Sequence, residues 1–344
     1  MMSPVDTLNE VAETMATRKG NEADTFTELP MTAWWTILKR VYTKMQQHNL
    51  SLIAAGVAFY FLLAIFPLLA GIISLYGLLV SPDELQDHMT LLINVVPADS
   101  RYIIENQLES LINNSNVALS SGFIISLILT LWSSSKGANA LITACNITYN
   151  ETHSRSFLKA ILARMVLTAC IIIVVITSLI FITVLPQLLS WLTGNWLSDD
   201  AARWITWPVL MLVFNAGLAT LYRYGPHRAP AKWTWVTPGS LLATVVWVIG
   251  SLAFSFYLAE FATYNKTYGS VGGIVILLMW LYLSAYIILL GAEFNSAMEL
   301  QTERDSTTGT PKPKGARGAF VADHSPQDAP DTHSTPSSFK ERKS

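Results

Sequence analysis

The chain has 344 residues, 51% hydrophobic and 13% charged. A soluble domain carries about 25% charged residues, so both figures point to a membrane protein and away from an ordinary soluble domain. The net charge of -2 gives no reason to expect nucleic acid as a partner.

The start, MMSPVDTLNEVAETMATRKGNEADTF, is polar and mixed in charge. It lacks an apolar h-region, so it does not read as a cleavable signal peptide. Residues 1–30 are expected to be flexible. The next segment, MTAWWTILKRVYTKMQQHN over 31–49, has amphipathic character. Trp34 and Trp35 suit an interface, and Lys39, Arg40 and Lys44 suit lipid phosphates, so membrane lipids are its expected partner.

Six candidate spans follow inside a membrane domain over 50–295. Span one runs from Ser51 to Val80, and Pro67 is expected to kink or break it. Spans two to six run from Leu119 to about Tyr149, Phe157 to Leu185, Trp204 to Tyr222, Val236 to Leu258 and Val271 to Phe294. Pro186 is expected to end the third. Residues 81–117, between spans one and two, carry apolar residues at helical spacing and read as two short amphipathic helices on the outer face.

Loop charges orient these spans. Lys39, Arg40, Lys44, Arg155, Lys159, Arg164, Arg223, Arg228 and Lys232 fall on one side, and Arg101, Arg203 and Lys266 on the other. Basic residues favour the cytoplasmic side. The expected fold is therefore all-α: a polytopic membrane protein with six transmembrane helices, short amphipathic helices and both termini in the cytoplasm. Residues 296–344 are rich in Pro, Gly, Ser, Thr and charge, and are expected to form a disordered cytoplasmic tail.

Lys136 is the most unusual residue of the pattern. It follows SGFIISLILTLWSSS. Leu119 to Trp132 is too short to cross a bilayer comfortably, so span two must continue beyond the serines. A lysine at a span centre costs about 2.5–3.5 kcal/mol. Two readings stand: a helix broken near Gly137 with Lys136 lining a polar cavity, or an inner loop at SSSKG. Span length favours the broken helix, a place where transporters put binding sites. Asn139 and Asn146 are read onto the face of Lys136, Asn215 as a neighbour at similar depth, and Glu293 as an acid near the inner interface. Together these five make a candidate polar pathway. Interhelical hydrogen bonding is the plain alternative for each asparagine. Glu293 could instead pair with Arg223 or Arg228. Glu260, Asn265 and Tyr268 sit in EFATYNKTYGSVGG, read as a glycine-rich outer turn or mouth. His48, His153 and His227 share the inner side, but their wide spacing and the lack of CxxC imply no metal site. No cofactor is implied.

Three stretches resemble the YihY/BrkB family of bacterial inner-membrane proteins. They are SLIAAGVAFYFLLAIFPLLAG, LWSSSKGANALITACNITYNETHSRSF, and ATLYRYGPHRA with the run from TPGSLLATVVW to LLGAEFN. The resemblance covers Ser51 to about Asn295. It implies a multi-pass inner-membrane protein with six transmembrane helices and cytoplasmic termini. It assigns no catalytic residues, and the family's former label, ribonuclease BN, is regarded as mistaken. Some members are grouped loosely with transporters, and one is associated with export of lipid A precursors.

The leading function is transport or translocation of an unknown substrate, an anionic solute or lipid. The GxxxxGK[ST] loop is absent, so an ion gradient, downhill flow or a partner would drive it. The alternative is an envelope scaffold or assembly protein, and a homo-oligomer is compatible with either. An enzyme is less expected, since no nucleophile–base pattern stands out.

Overall fold

The structure, a computed structural model, describes residues 22–76, 121–152, 156–193, 199–260 and 265–325. They form an all-α chain. Helix α1 spans Met31–Gln47, α2 Leu50–Tyr76, α3 Ser121–Thr148, α4 Phe157–Thr193, α5 Asp199–Tyr224, α6 Trp233–Glu260, α7 Asn265–Glu299, and the short α8 Phe320–Asp323. The amphipathic helices expected over 81–117 lie outside the described residues.

Four helices contain stretches long and apolar enough to cross a membrane: Phe157–Ile182, Ile205–Tyr224, Trp233–Leu258 and Gly272–Glu299. A fifth crossing results if α1 and the start of α2, bent by 64° to each other, count as one. The chain is a polytopic membrane protein. Its surface agrees. Leu241, Val245, Ile249, Leu252 and Phe256 form an exposed stripe at helical spacing along α6. Such a stripe suits lipid, where only backbone satisfied within the helix is tolerated.

The helices pack as a closed ring. α2 lies on α3, α3 on α4, α4 on α5, α5 on α6, α6 on α7, and α7 returns to α2. The tightest crossing joins α6 and α7. A Cβ at Gly239 would lie 2.3 Å from the Gly291 carbonyl oxygen, and one at Gly291 would lie 2.5 Å from the Tyr222 hydroxyl. Only glycine lets the two backbones approach this closely. Asn295 then bridges them. Its Oδ1 accepts from Gly239 N–H at 2.8 Å and its Nδ2 donates to the Val236 carbonyl at 3.0 Å.

α1 buries Ala33, Ile37 and Val41 against α7 residues Phe294, Ala297 and Met298. It exposes Met31, Trp35, Leu38 and Tyr42. The corner into α2 runs through Asn49 at φ 50, a left-handed conformation that asparagine tolerates. The same device ends α3. Asn150 adopts φ 56, and Glu151 N–H reaches back to the Asn146 carbonyl at 2.8 Å.

Several expectations need correcting. α3 is continuous through Ser133–Gly137, and α2 continues past Pro67, so neither Gly137 nor Pro67 is a helix break. Gly137 serves packing instead: a Cβ there would lie 3.2 Å from that of Ala64 on α2. α4 does not stop at Pro186 but runs to Thr193. The outer turn is shorter than expected, because Gly269, Gly272 and Gly273 lie inside α7. Of Glu260, Asn265 and Tyr268 the structure describes helical backbone, and their side chains lie outside what is described.

The expected flexible ends also fold in part. Ala23 and Leu29 are buried, and Thr302 donates to the Ala23 carbonyl at 2.6 Å. Residues 300–325 pack across the end of the bundle formed by the start of α2 and the finish of α7, here called the tail end. Thr308 N–H donates to Pro230 O at 2.9 Å, Lys232 N–H to Ser306 O at 2.9 Å, and Ala229 N–H to Gly318 O at 2.8 Å. Arg317 supplies the core of this cap, donating to the carbonyls of Glu303, Arg304, Lys312 and Ala322. Composition suggested disorder because the segment has little apolar surface. Backbone pairing with the α5–α6 link and one buried arginine order it instead.

Candidate functional site

Lys136 lies twelve residues before the end of α3, hence about 18 Å along the helix from the tail end. It is exposed, and faces an open groove of about 370 Å³ between α2, α3 and α4. Asn139, Thr143, Gly56, Tyr60 and Arg164 also line this groove. Arg164 comes from α4 and lies 6.0 Å from the Trp132 ring on α3, a cation–π contact. Its Nε is buried without a hydrogen-bond partner among the described residues. Lys136 has no described hydrogen bond or ion pair. Two cations thus share one groove whose described lining holds no carboxylate. The arrangement suits a phosphate, carboxylate or other anion.

The expected polar pathway is only partly assembled. Lys136 and Asn139 share the groove. Asn146 does not: its Oδ1 accepts from the His227 backbone N–H at 2.7 Å, tying α3 to the α5–α6 link. Ten residues of helix turn it about 80° away from Lys136, whereas seven residues bring Thr143 almost into line. Asn215 is no neighbour of Lys136. Its Nδ2 donates to Ser240 Oγ at 3.2 Å and Thr244 Oγ1 at 3.4 Å on α6. Glu293 pairs neither with Lys136 nor with Arg223 or Arg228, but with His48.

The tail end holds a second polar centre. Glu293 is fully buried, and its Oε1 is hydrogen-bonded to His48 Nδ1. Lys44 Nζ donates to Ser296 Oγ at 3.2 Å one helical turn along α7. Beside them, Arg228 donates to both oxygens of Glu299, at 3.1 and 2.5 Å. Ser306 Oγ adds a bond to Glu299 at 2.9 Å, and the Arg228 guanidinium lies 5.0 Å from the Tyr149 ring. Burial opposes the arginine's charge, but the Glu299 carboxylate outweighs it and holds the guanidinium above its ordinary value. Glu151 accepts from Phe320 N–H at 2.9 Å, yet burial pushes its carboxyl up. A cavity of about 640 Å³ opens here, lined by Glu151, Thr152, His227, Phe320 and His324 among others. Among the described residues no three His, Cys, Asp or Glu side chains converge as a metal site.

Sequence reasoning did not find the roles of three of these residues. Arg164 was counted only as a loop charge, though it lies seven residues inside α4. His48 and Glu299 carried no distinguishing local pattern. Their partners lie far away in sequence.

The family model described as Virulence factor BrkB matches residues 41–316, nearly the whole of this framework. The chain belongs to the BrkB family. It is 34% identical over 271 residues to a Bacillus subtilis (strain 168) protein named ribonuclease-like protein YfkH, spanning 76% of this chain and 95% of that one. It is 25% identical over 266 residues to the UPF0761 membrane protein of Tolumonas auensis, spanning 75% and 83%. A UPF0761 membrane protein of Xanthomonas campestris pv. campestris is 28% identical over 250 residues, 71% of this chain and 56% of that one. No solved structure matches the chain. A multi-pass inner-membrane location accompanies BrkB membership.

Proposed function

We propose that this BrkB-family chain is a translocation protein that moves an anionic solute or lipid past the groove of Lys136 and Arg164. Six spans carry it, with the tail end and both termini in the cytoplasm. The basic bias of the tail-end links supports that orientation, and α1 then lies at the inner interface with Trp35 and Tyr42 toward lipid.

The observation that carries this reading is the pair of cations in one open groove. Lys136 is twelve residues up its helix, too deep for its four-carbon stem to reach the interface easily. Asn139, Thr143 and Tyr60 add hydrogen-bonding groups beside it. The reading includes no catalytic step. The ribonuclease-like name belongs to the Bacillus relative and is not carried over.

The test is flux in liposomes holding native, Lys136→Met or Arg164→Met protein. One set carries fluorescent phosphatidylglycerol, quenched from outside to follow flipping. Another encloses a small dye-reported anion. The variants are expected to insert normally and lose most flux of one probe. Equal flux of native and variant proteins would remove the groove from the pathway. No flux of either probe by native protein would favour the envelope scaffold.

A further inference from the structure

Glu293 lies six residues before the end of α7 and is fully buried. One oxygen, Oε1, meets His48 Nδ1, and the other, Oε2, has no hydrogen-bond partner among the described residues. His48 sits at the corner between α1 and α2. Its Nε2 is 3.2 Å from Asn150 Oδ1 at the end of α3. In this orientation of the Asn150 amide its oxygen faces the ring, and an amide oxygen only accepts, so Nε2 carries a hydrogen. The bond from Nδ1 to Oε1 then needs a proton of its own. Either imidazolium donates to carboxylate, or a carboxylic acid donates to neutral imidazole. Both descriptions hold one proton more than neutral histidine beside ionised glutamate, and both leave the pair without net charge.

That proton has a route. The His48 side chain is 13% exposed and that of Glu293 is 0% exposed. The ring therefore stands between solvent and the buried acid. The other charges around the pair are accounted for. From α1, Lys44 faces Glu293 while bonded to Ser296, and Arg40 is held by Ala297 O at 2.8 Å and Gln301 Oε1 at 3.0 Å. From α7 and the α5–α6 link, Glu299 and Arg228 neutralise each other. From the end of α3 come the buried Tyr149 hydroxyl and Glu151, which is tied to Phe320.

We propose that Glu293 and His48 form a proton-binding site at the junction of α1, α2, α3 and α7, loaded from the solvent at the tail end. Uptake places a proton from water on the Nδ1 lone pair, and release returns it to water. After release, the Nδ1 lone pair and the carboxylate repel each other. The freed carboxylate is drawn to Lys44, and the corner between α1 and α2 loses one of its ties to α7. The further claim, that this proton drives translocation, rests on the function proposed above.

The site is tested without any transport assay. Full-length protein in nanodiscs of phosphatidylglycerol and phosphatidylethanolamine is titrated, following the ¹⁵N signals of His48, assigned by their loss in His48→Gln, together with the infrared carboxyl band. Glu293→Gln is expected to move the His48 midpoint down by at least one pH unit, a tenfold loss of proton affinity. Lys44→Met, which removes the competing cation, moves it up. These opposite signs separate a proton site from general loosening of the fold. An unchanged midpoint in both variants overturns the site. Liposome flux under an imposed pH gradient then tests coupling, and Glu293→Gln is expected to abolish the gradient dependence. If the titrations behave as stated but native protein moves neither probe, the site stands and the translocation reading fails.

Discussion

Arg228 and Glu299 lie 71 residues apart and meet in a two-pronged ion pair, fully buried at the tail end of the bundle. The pair joins the α5–α6 link to the end of α7. Through Ser306 it also holds the folded tail. A buried pair is a modest source of net stability, but losing one partner strands a charge. Arg228→Met is therefore expected to destabilise the protein by about 3–5 kcal/mol. Arg228→Met with Glu299→Leu should recover much of that loss. Thermal unfolding in detergent checks the difference, and faster proteolysis after residue 300 should accompany the single variant.

The α6–α7 crossing predicts a contrast between glycines. At Gly239 a Cβ would meet the Gly291 carbonyl at 2.3 Å and Asn295 Oδ1 at 2.4 Å. At Gly56 it would meet nothing within 4 Å. Gly239→Ala should cost at least about 1–3 kcal/mol, because backbone rather than a flexible side chain must yield. Gly56→Ala should leave the melting temperature unchanged or slightly raised, since alanine favours the helix. Equal shifts would contradict the close crossing.

Asn215 separates structural polarity from pathway polarity. It bonds Ser240 and Thr244 across helices. Asn215→Leu is expected to cost about 0.6–1.7 kcal/mol, the range for hydrogen bonds between membrane helices. Flux of the responsive probe should persist, in contrast to Lys136→Met. Loss of flux at unchanged stability would return Asn215 to the pathway.

Asp305 gives the tail a pH dependence. Burial pushes its carboxyl up, but the Thr307 hydroxyl and the Lys312 and Thr307 N–H groups outweigh that and hold it below the ordinary aspartate value. An acid held low contributes stability that is fully present above about pH 3.9 and is lost as pH falls through its depressed folded value. Hydrogen exchange over 305–312 should therefore quicken as pH falls below 4, after correction for the intrinsic rate. Asp305→Asn should remove most of that pH step.

The sequence carried four of the six expected spans well because hydropathy is a local property. Residues Trp204 to Tyr222 are apolar whatever surrounds them, and α5 covers them. Lys136 was conspicuous for the same reason, a charge inside an apolar run. The supposed break at Gly137 was misread because glycine permits two outcomes, a bend or a close contact. Its neighbour Ala64 lies on another helix and decides for contact. The tail was misread because composition counts apolar residues, whereas residues 300–325 are ordered by backbone pairing and the buried Arg317.

By itself, then, the sequence determined an all-α membrane chain, four of its spanning helices and one lysine out of place. Only the tertiary structure decided which polar groups meet. It set Lys136 beside Arg164 in one groove, turned Asn146 and Asn215 to structural bonds, and joined His48 to Glu293 across 245 residues. Hydrophobicity acts along a segment, so it can be read there. A hydrogen bond or ion pair requires two atoms within a few ångströms, and for residues this far apart only the packing of the helix ring fixes that distance.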